Sequence, residues 1–188
     1  MKSIMIGLLH VMRHAETAID KRTPAHEWSL TEEGFLQART LASMGIFDSI
    51  DSIFSSHEPK ALQTARPFAD RLGIEIDSYS ELRELDRAKG RFLSNAEYLQ
   101  SVECILDRHD AISGWEFREH AMARFQAGLK NIANKGGFKE ALVITHGLVL
   151  SMHFTSLLGV EKVFPRWQRL KFCSWGTLQG NAVIKDIV

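Results

Sequence analysis

Cysteine is scarce in this chain of 188 residues: Cys104 and Cys173 are the two that occur. They form no CxxC pair and no metal or redox motif, and a disulfide framework is not expected. A reducing, cytoplasmic compartment is the expectation that follows. An excess of charge of one sign is absent too. Lys and Arg together number 23, Asp and Glu together 23, for a formal net charge of +0. A general nucleic-acid binder would carry a basic excess, so no nucleic-acid partner is expected, although a small local positive pocket remains open. No apolar run approaches the roughly 18 residues of a membrane span, so no membrane partner is expected either. The opening MKSIMIGLLHVM pairs a lysine with a short apolar run. His10 interrupts that run, and no small-residue cleavage site follows before Arg13 and His14. The segment therefore reads as a buried first strand rather than a signal peptide. HExxH, a Walker loop and GxGxxG are all missing. No internal repeat or low-complexity tract breaks the chain.

What is present is enough apolar content for a core: 45% hydrophobic against 24% charged. The length fits a single domain, 1–188, in which 78–115 reads as a looser, substrate-specificity insert. Residues 4–12 are nearly all apolar without clean alternation, the pattern of a strand buried on both faces. Further strands are predicted at 49–54, 74–77 and 140–145. Helical spacing marks Phe35, Ala38, Leu41 and Ala42; Ala61, Ala65, Phe68 and Leu72; and Phe117, Ala121, Phe125, Leu129 and Ile132. Another helix is predicted near 95–109, and another after 147. Pro67 predicts a kink or break near Arg66. Four serine–glutamate pairs have capping-box spacing: Ser29/Glu32, Ser55/Glu58, Ser94/Glu97 and Ser113/Glu116. The tail from 169 is mixed and β-like. Alternating strand and helix implies an α/β fold, a three-layer α/β/α sandwich with a mostly parallel central sheet.

In such sheets ligands bind beyond the carboxyl ends of the strands. Three predicted strands end in polar residues: Arg13-His14, Ser55-Ser56-His57 with Lys60 close behind, and Thr145-His146-Gly147. In a parallel sheet these ends share one edge, which would gather Arg13, His14, Lys60 and His146. Two cations and two imidazoles suit a tetrahedral anion. Arginine offers a planar fork to phosphate oxygens, lysine a compact charge, and His146 at a helix start lies beside backbone N–H groups that favour anions. A neutral His14 is also a competent nucleophile toward phosphorus. Neighbouring cations would disfavour its protonation and neutralise the equatorial oxygens in the transition state. An acid must protonate the leaving alkoxide; Glu81, Glu84 and Asp86 all follow the third strand, and position alone does not choose among them. A metal site is the competing reading of so many histidines. His10 and His14, four apart on a strand, stand roughly 13 Å from one another, and no metal is expected. The other histidines, His10, His26, His57, His109, His120 and His153, read as structural or surface groups.

These pieces resemble the histidine phosphatase superfamily, the phosphoglycerate mutase-like proteins. The family's R-H-G-[ED]-[TS] reads here as Arg13-His14-Ala15-Glu16-Thr17. Its L-T-x-x-G-x-x-Q-A reads as LTEEGFLQA (30–38), its S-S-x-x-x-R-A-x-x-T-A as SSHEPKALQTA (55–65), its late T-H-G as ITHG (144–147), and its L-x-E acid as LRE at Glu84. The resemblance implies His14 as the phosphorylated nucleophile and Glu84 as proton donor. It implies a phosphate pocket made of Arg13, Lys60 and His146, with Thr17, Asp20 and Gly147 beside them, and catalysis without metal or other cofactor. Three departures stand out. Ala15 replaces a usual glycine, a modest change if its φ is negative. Lys60 replaces an arginine, trading a bidentate fork for a point charge. Asp20 stands where mutase-type members often carry asparagine; ionised, it would repel a dianion unless it turned away or paired with Lys60 or Arg13.

The resemblance favours a phosphomonoesterase acting on a small phosphorylated metabolite. Mutases of this superfamily carry a segment with paired arginines, and no Arg-Arg pair occurs here; the insert instead holds Arg87, Lys89, Arg91 and Arg108. Phe92, Tyr98 and Trp115 are candidate substrate walls, with core packing as the alternative. Mutase-type transfer and a non-catalytic phospho-ligand-binding module are the competing functions, and a homodimer is the expected assembly if the chain self-associates.

Overall fold

The computed structural model describes residues 7–87, 92–160 and 162–188. Lys89 and Arg91, singled out above, lie outside the described residues. Six strands form one sheet in the order β3-β2-β4-β1-β5-β6. They are β1 (Leu8–Arg13), β2 (Ser52–Ser56), β3 (Ile76–Tyr79), β4 (Glu140–Thr145), β5 (Trp175–Gln179) and β6 (Ala182–Lys185). The first four run parallel, while β5 and β6 complete the edge as an antiparallel pair.

The helices are α1 (Glu32–Ser43), α2 (Pro59–Leu72), α3 (Asn95–Glu103), α4 (Arg118–Lys135), α5 (Gly147–Leu158) and α6 (Phe164–Arg169). Strand β4 shows why the sheet carries helices on both faces. Leu142 and Ile144 pack with Met12, Ile53, Ala61, Ala65 and Phe68 on the α1–α2 side. Ala141 and Val143 point the other way, toward Val102, Phe125 and Val149 from α3, α4 and α5. Successive side chains alternate across a strand, so a strand apolar at every position needs cover on both sides. The expected α/β/α sandwich is the fold observed.

Local expectations fared unevenly. The strand expected at 49–54 begins later, at Ser52, because its ladder to β4 starts at the Ser52–Ala141 pair. Helix α2 runs through Pro67 without a break. The burial of Thr64, Ala65, Phe68 and Ala69 on its inner face outweighs the one hydrogen bond a proline removes. Of the four capping boxes, only Ser94/Glu97 forms, with both reciprocal bonds present. Thr31 caps α1 in place of Ser29, accepting from the Gly34 amide at 2.9 Å. Glu58 is itself the N-cap position of α2, and Phe117 that of α4. Glu116 is drawn instead to Arg124, 2.8 Å away. Helix α3 continues into a π-helical turn, Cys104–Arg108, which ends at His109 with φ 60°. No helix of the described residues is long and apolar enough to cross a membrane.

Candidate active site

Parallel register brings the three polar strand ends together. Arg13 pairs in register with Thr145, and Ser55 with Ile144, so the residues that follow β1, β2 and β4 emerge on one edge. A cavity of about 400 Å³ opens there. Arg13, His14, Thr17, Lys60, Glu84 and Gly147 line it. His14 and His146 lie with ring centroids 5.2 Å apart.

The loop that carries His14 is held from several sides. The Ala15 amide donates to Thr64 Oγ1 on α2 at 3.0 Å. Ala15 is fully buried and is not among the positive-φ residues, so alanine fits where the family's glycine would stand. Gly34 explains the LTEEG motif. A Cβ built there would lie 2.1 Å from the Glu16 carbonyl oxygen, so only glycine lets α1 press so closely against the loop.

His14 is 7% exposed, and its Nδ1 lies 2.7 Å from the Ala15 carbonyl oxygen. A carbonyl only accepts, so Nδ1 carries the proton and Nε2 is left with its lone pair. Burial lowers the pKa of His14 well below the ordinary imidazole range, and His146, Arg13 and Lys60 lower it further. The Thr17 hydroxyl lies 3.1 Å from the same Nδ1.

Arg13 donates to the Leu170 carbonyl, and its guanidinium carbon sits 4.3 Å from the centroid of the Phe172 ring. Its Nε is buried with no hydrogen-bond partner in the described residues. Gly147 permits this placement, because a Cβ there would come within 3.2 Å of Arg13 Nε. Lys60, 5% exposed, donates to Glu58 Oε2 at 2.5 Å and to the Ala25 carbonyl at 2.7 Å. Its charge therefore reaches the cavity already paired with a buried carboxylate.

Among the three acids that follow β3, Glu84 is the one whose carboxylate is built into the site. It accepts from the amides of Leu85, Leu148 and Val149 at 3.0, 2.9 and 3.2 Å, and so sits on the N-terminus of α5. Burial raises its pKa above the ordinary value; the amides of Leu148, Leu85 and Val149 oppose that shift without cancelling it. Glu81 is not among the cavity's lining residues, and Asp86 lies exposed at its edge.

Two expectations need correction. Asp20 does not join the pocket: its carboxylate is clamped by Arg22, with Nε and Nη2 each at 2.9 Å, and those bonds hold its pKa down at about 2. Of the two alternatives left open, turning away or pairing with Lys60 or Arg13, the pairing is not made: the cation that holds Asp20 is a neighbour two residues away. His146 adjoins His14 but is completely buried and does not line the cavity. Its Nε2 faces Ser56 Oγ at 2.8 Å, with Glu58 Oε1 at 3.5 Å, and its Nδ1 has no partner in the described residues.

Sequence reasoning passed over several contributors. Glu58, read only as a capping acid, binds Lys60 and also accepts from the Glu84 amide at 2.9 Å. Arg124 donates to the carbonyls of Glu81, Arg83 and Glu84, at 2.7, 3.0 and 3.2 Å, and so fixes the segment that presents Glu84. Its signal was an arginine set between the apolar stripe positions Ala121 and Phe125. Trp28, Arg83, Trp167 and Phe172 also line the cavity; Phe172 had no local signal. No group of three or more His, Cys, Asp or Glu that could hold a metal ion occurs in the described residues.

An α/β/α sandwich thus gathers paired histidines and cations at its strand ends, a set of groups suited to a phosphate. The chain belongs to the histidine phosphatase superfamily (branch 1), whose profile matches residues 9–182. A probable phosphoglycerate mutase of Enterobacter sp. (strain 638) is 28% identical over 175 residues, which cover 88% of this chain and 81% of that protein. In structure, the chain is similar to a mycobacterial glucosyl-3-phosphoglycerate phosphatase solved with VO3, at a TM-score of 0.76 and 21% identity, covering 96% and 98% of the two chains. The alpha-ribazole phosphatase from Shigella flexneri matches at a TM-score of 0.74 and 18% identity, covering 96% and 95%.

Proposed function

We propose that the protein is a phosphomonoester hydrolase that works through a phosphohistidine on His14. The observation that carries this reading is the hydrogen bond from His14 Nδ1 to the Ala15 carbonyl, 2.7 Å long, on a buried ring kept neutral by its surroundings. It leaves Nε2 as the lone-pair nitrogen of a ring that lines the cavity.

In the first step His14 Nε2 attacks phosphorus. The bond from phosphorus to the ester oxygen breaks, and Glu84 gives its proton to the departing alkoxide. In the second step water attacks the phosphohistidine and gives a proton to the Glu84 carboxylate. The phosphorus–nitrogen bond breaks, releasing inorganic phosphate and neutral His14. Glu84 thus serves as acid and then as base, which suits a carboxyl held above its usual range. Arg13 and Lys60 stabilise charge on the equatorial oxygens. Thr17 holds the imidazole, Gly147 gives Arg13 room, and the His146 ring packs edge-on to His14 at 5.2 Å. The side-chain cations supply the neutralisation, so turnover is expected to survive a chelator.

The test measures phosphate release from p-nitrophenyl phosphate. The wild type should turn over and form an acid-labile phosphoenzyme; His14→Ala should lose both. Turnover that persists in His14→Ala would overturn the mechanism, and a phosphorylated ligand retained intact by the wild type would mark a binding module. Isomerisation of 3-phosphoglycerate exceeding its hydrolysis would assign a mutase instead.

A further inference from the structure

Beside the phosphate cavity lies a larger one of about 820 Å³, to which the proposed reaction gives no role. The two share Trp28, Arg87 and Tyr98 in their walls, so a molecule whose phosphate meets His14 can extend into the second. Trp28, Phe92, Tyr98 and Trp115 give that cavity flat apolar walls. Lys21, Arg22 and Arg87 bring charge to it, Arg22 already paired with Asp20, and no acidic residue is among the described residues that line it.

Arg87 is held in an unusual way. Its guanidinium carbon lies 4.5 Å from the Tyr98 ring centroid, 5.6 Å from that of Trp28 and 5.9 Å from that of Trp115. In the described residues it makes no ion pair. An arginine held over aromatic rings without an ion pair keeps N–H donors for a ligand. Lys21, 5.3 Å from the Phe92 ring, adds a second cation.

We infer that the second cavity binds the leaving group of the substrate, and that this group is a flat aromatic body bearing an additional anionic substituent, anchored by Arg87. The inference rests on the phosphatase reading and names the substrate class for the same site. A cavity of this size accepts a drug-sized ligand, well beyond a three-carbon acid. Aromatic walls favour stacking on a planar ring, and the unpaired guanidinium favours a carboxylate or second phosphate.

Three esters test it: p-nitrophenyl phosphate, 2-naphthyl phosphate and 6-carboxy-2-naphthyl phosphate. In the wild type kcat/KM should favour the carboxylated naphthyl ester over the plain one by about tenfold, the size of one charge-assisted hydrogen bond. Arg87→Gln should bring that ratio close to one, and Arg87→Lys should restore part of it. Trp115→Ala should lower both naphthyl esters relative to p-nitrophenyl phosphate. A wild-type ratio near one, or the same preference in Arg87→Gln, would overturn the inference. Binding of 6-hydroxy-2-naphthoate, followed by quenching of tryptophan fluorescence, separates the two readings. If no ester is hydrolysed yet the naphthoate binds in an Arg87-dependent way, the phosphatase reading falls, and the leaving-group role with it, while the cavity's selection of an anionic aromatic body stands. If p-nitrophenyl phosphate is hydrolysed but the naphthoate does not bind, the cavity assignment alone falls.

Discussion

The strand-end edge and the interior of α5 each bury a histidine, and the two are equally hidden: His14 is 7% exposed and His153 6%. In both, burial lowers the pKa. Their surroundings then diverge. His153 is packed against Phe125 and Phe154, with ring centroids 5.5 and 6.2 Å away, and its Nδ1 has no partner in the described residues. His14 has a carbonyl that fixes its proton, cations that oppose a second one, and a cavity in front of it. Burial alone yields a neutral imidazole. A nucleophile also needs its lone pair directed and its target's charge met, and only the edge supplies both.

The sharpest way to separate edge from interior is to remove the acid that only the edge possesses. Glu84→Gln keeps an acceptor for the α5 amides but cannot donate a proton as a carboxyl does. General acid catalysis contributes about 10²–10⁴-fold. Alkyl phosphates, whose alkoxides leave poorly, should lose rate in about that range, while p-nitrophenyl phosphate should lose far less. Equal losses on both would assign Glu84 to holding α5 and send the search for the acid to Asp86.

The interior histidine makes its own prediction, on stability. Burial brings the pKa of His153 down from 6.5 to about 4. Between those values the unfolded chain binds a proton that the folded one refuses. Stability from this group is therefore complete above pH 6.5 and lost as pH falls toward 4, by about 3 kcal/mol. Urea unfolding from pH 7 to pH 4 should show this loss in the wild type, with His14 and His146 contributing in the same direction. His153→Leu should flatten the profile by about 3 kcal/mol, and His153→Gln gives the same reading if leucine packs badly. An unchanged acid slope in both variants would mean that His153 can accept its proton in place.

How legible each region was follows from how its side chains are placed. The parallel sheet could be read from strands apolar at every position, and the edge from polar residues where those strands stop, because the ladder itself carries Arg13, Ser55 and Thr145 into line. The partners of those residues were harder. Glu58 and Arg124 act through the backbone of a distant loop, and nothing in the residues around either one names that loop. Phe172 reaches Arg13 only because the tail returns antiparallel beside β1. Asp20 and the Ser113/Glu116 box failed because other partners took the groups, Arg22 for Asp20 and Arg124 for Glu116, while the Ser29 and Ser55 boxes failed because the helices begin at other caps, Thr31 and Glu58. Phe92, Tyr98 and Trp115, the candidate walls, all line the second cavity, whereas the cage around Arg87 also depends on Trp28, from the other end of the chain.

The mildest change tests how finely the edge is adjusted. Lys60 stands where relatives by motif carry arginine, and it arrives neutralised by Glu58 at 2.5 Å. A point charge so paired has limited attraction left for a phosphate. Lys60→Arg can keep one donor on Glu58 and turn another N–H toward the substrate, since guanidinium spreads its charge over a fork. Turnover of p-nitrophenyl phosphate should stay within about threefold, and competitive inhibition by inorganic phosphate should tighten by a similar factor, under 1 kcal/mol. Steady-state kinetics with phosphate as inhibitor reads both numbers. Total loss of turnover would mean that the longer side chain cannot share the space between Glu58 and the Ala25 carbonyl, and that the edge, unlike the apolar bed of His153, is fitted to one particular cation.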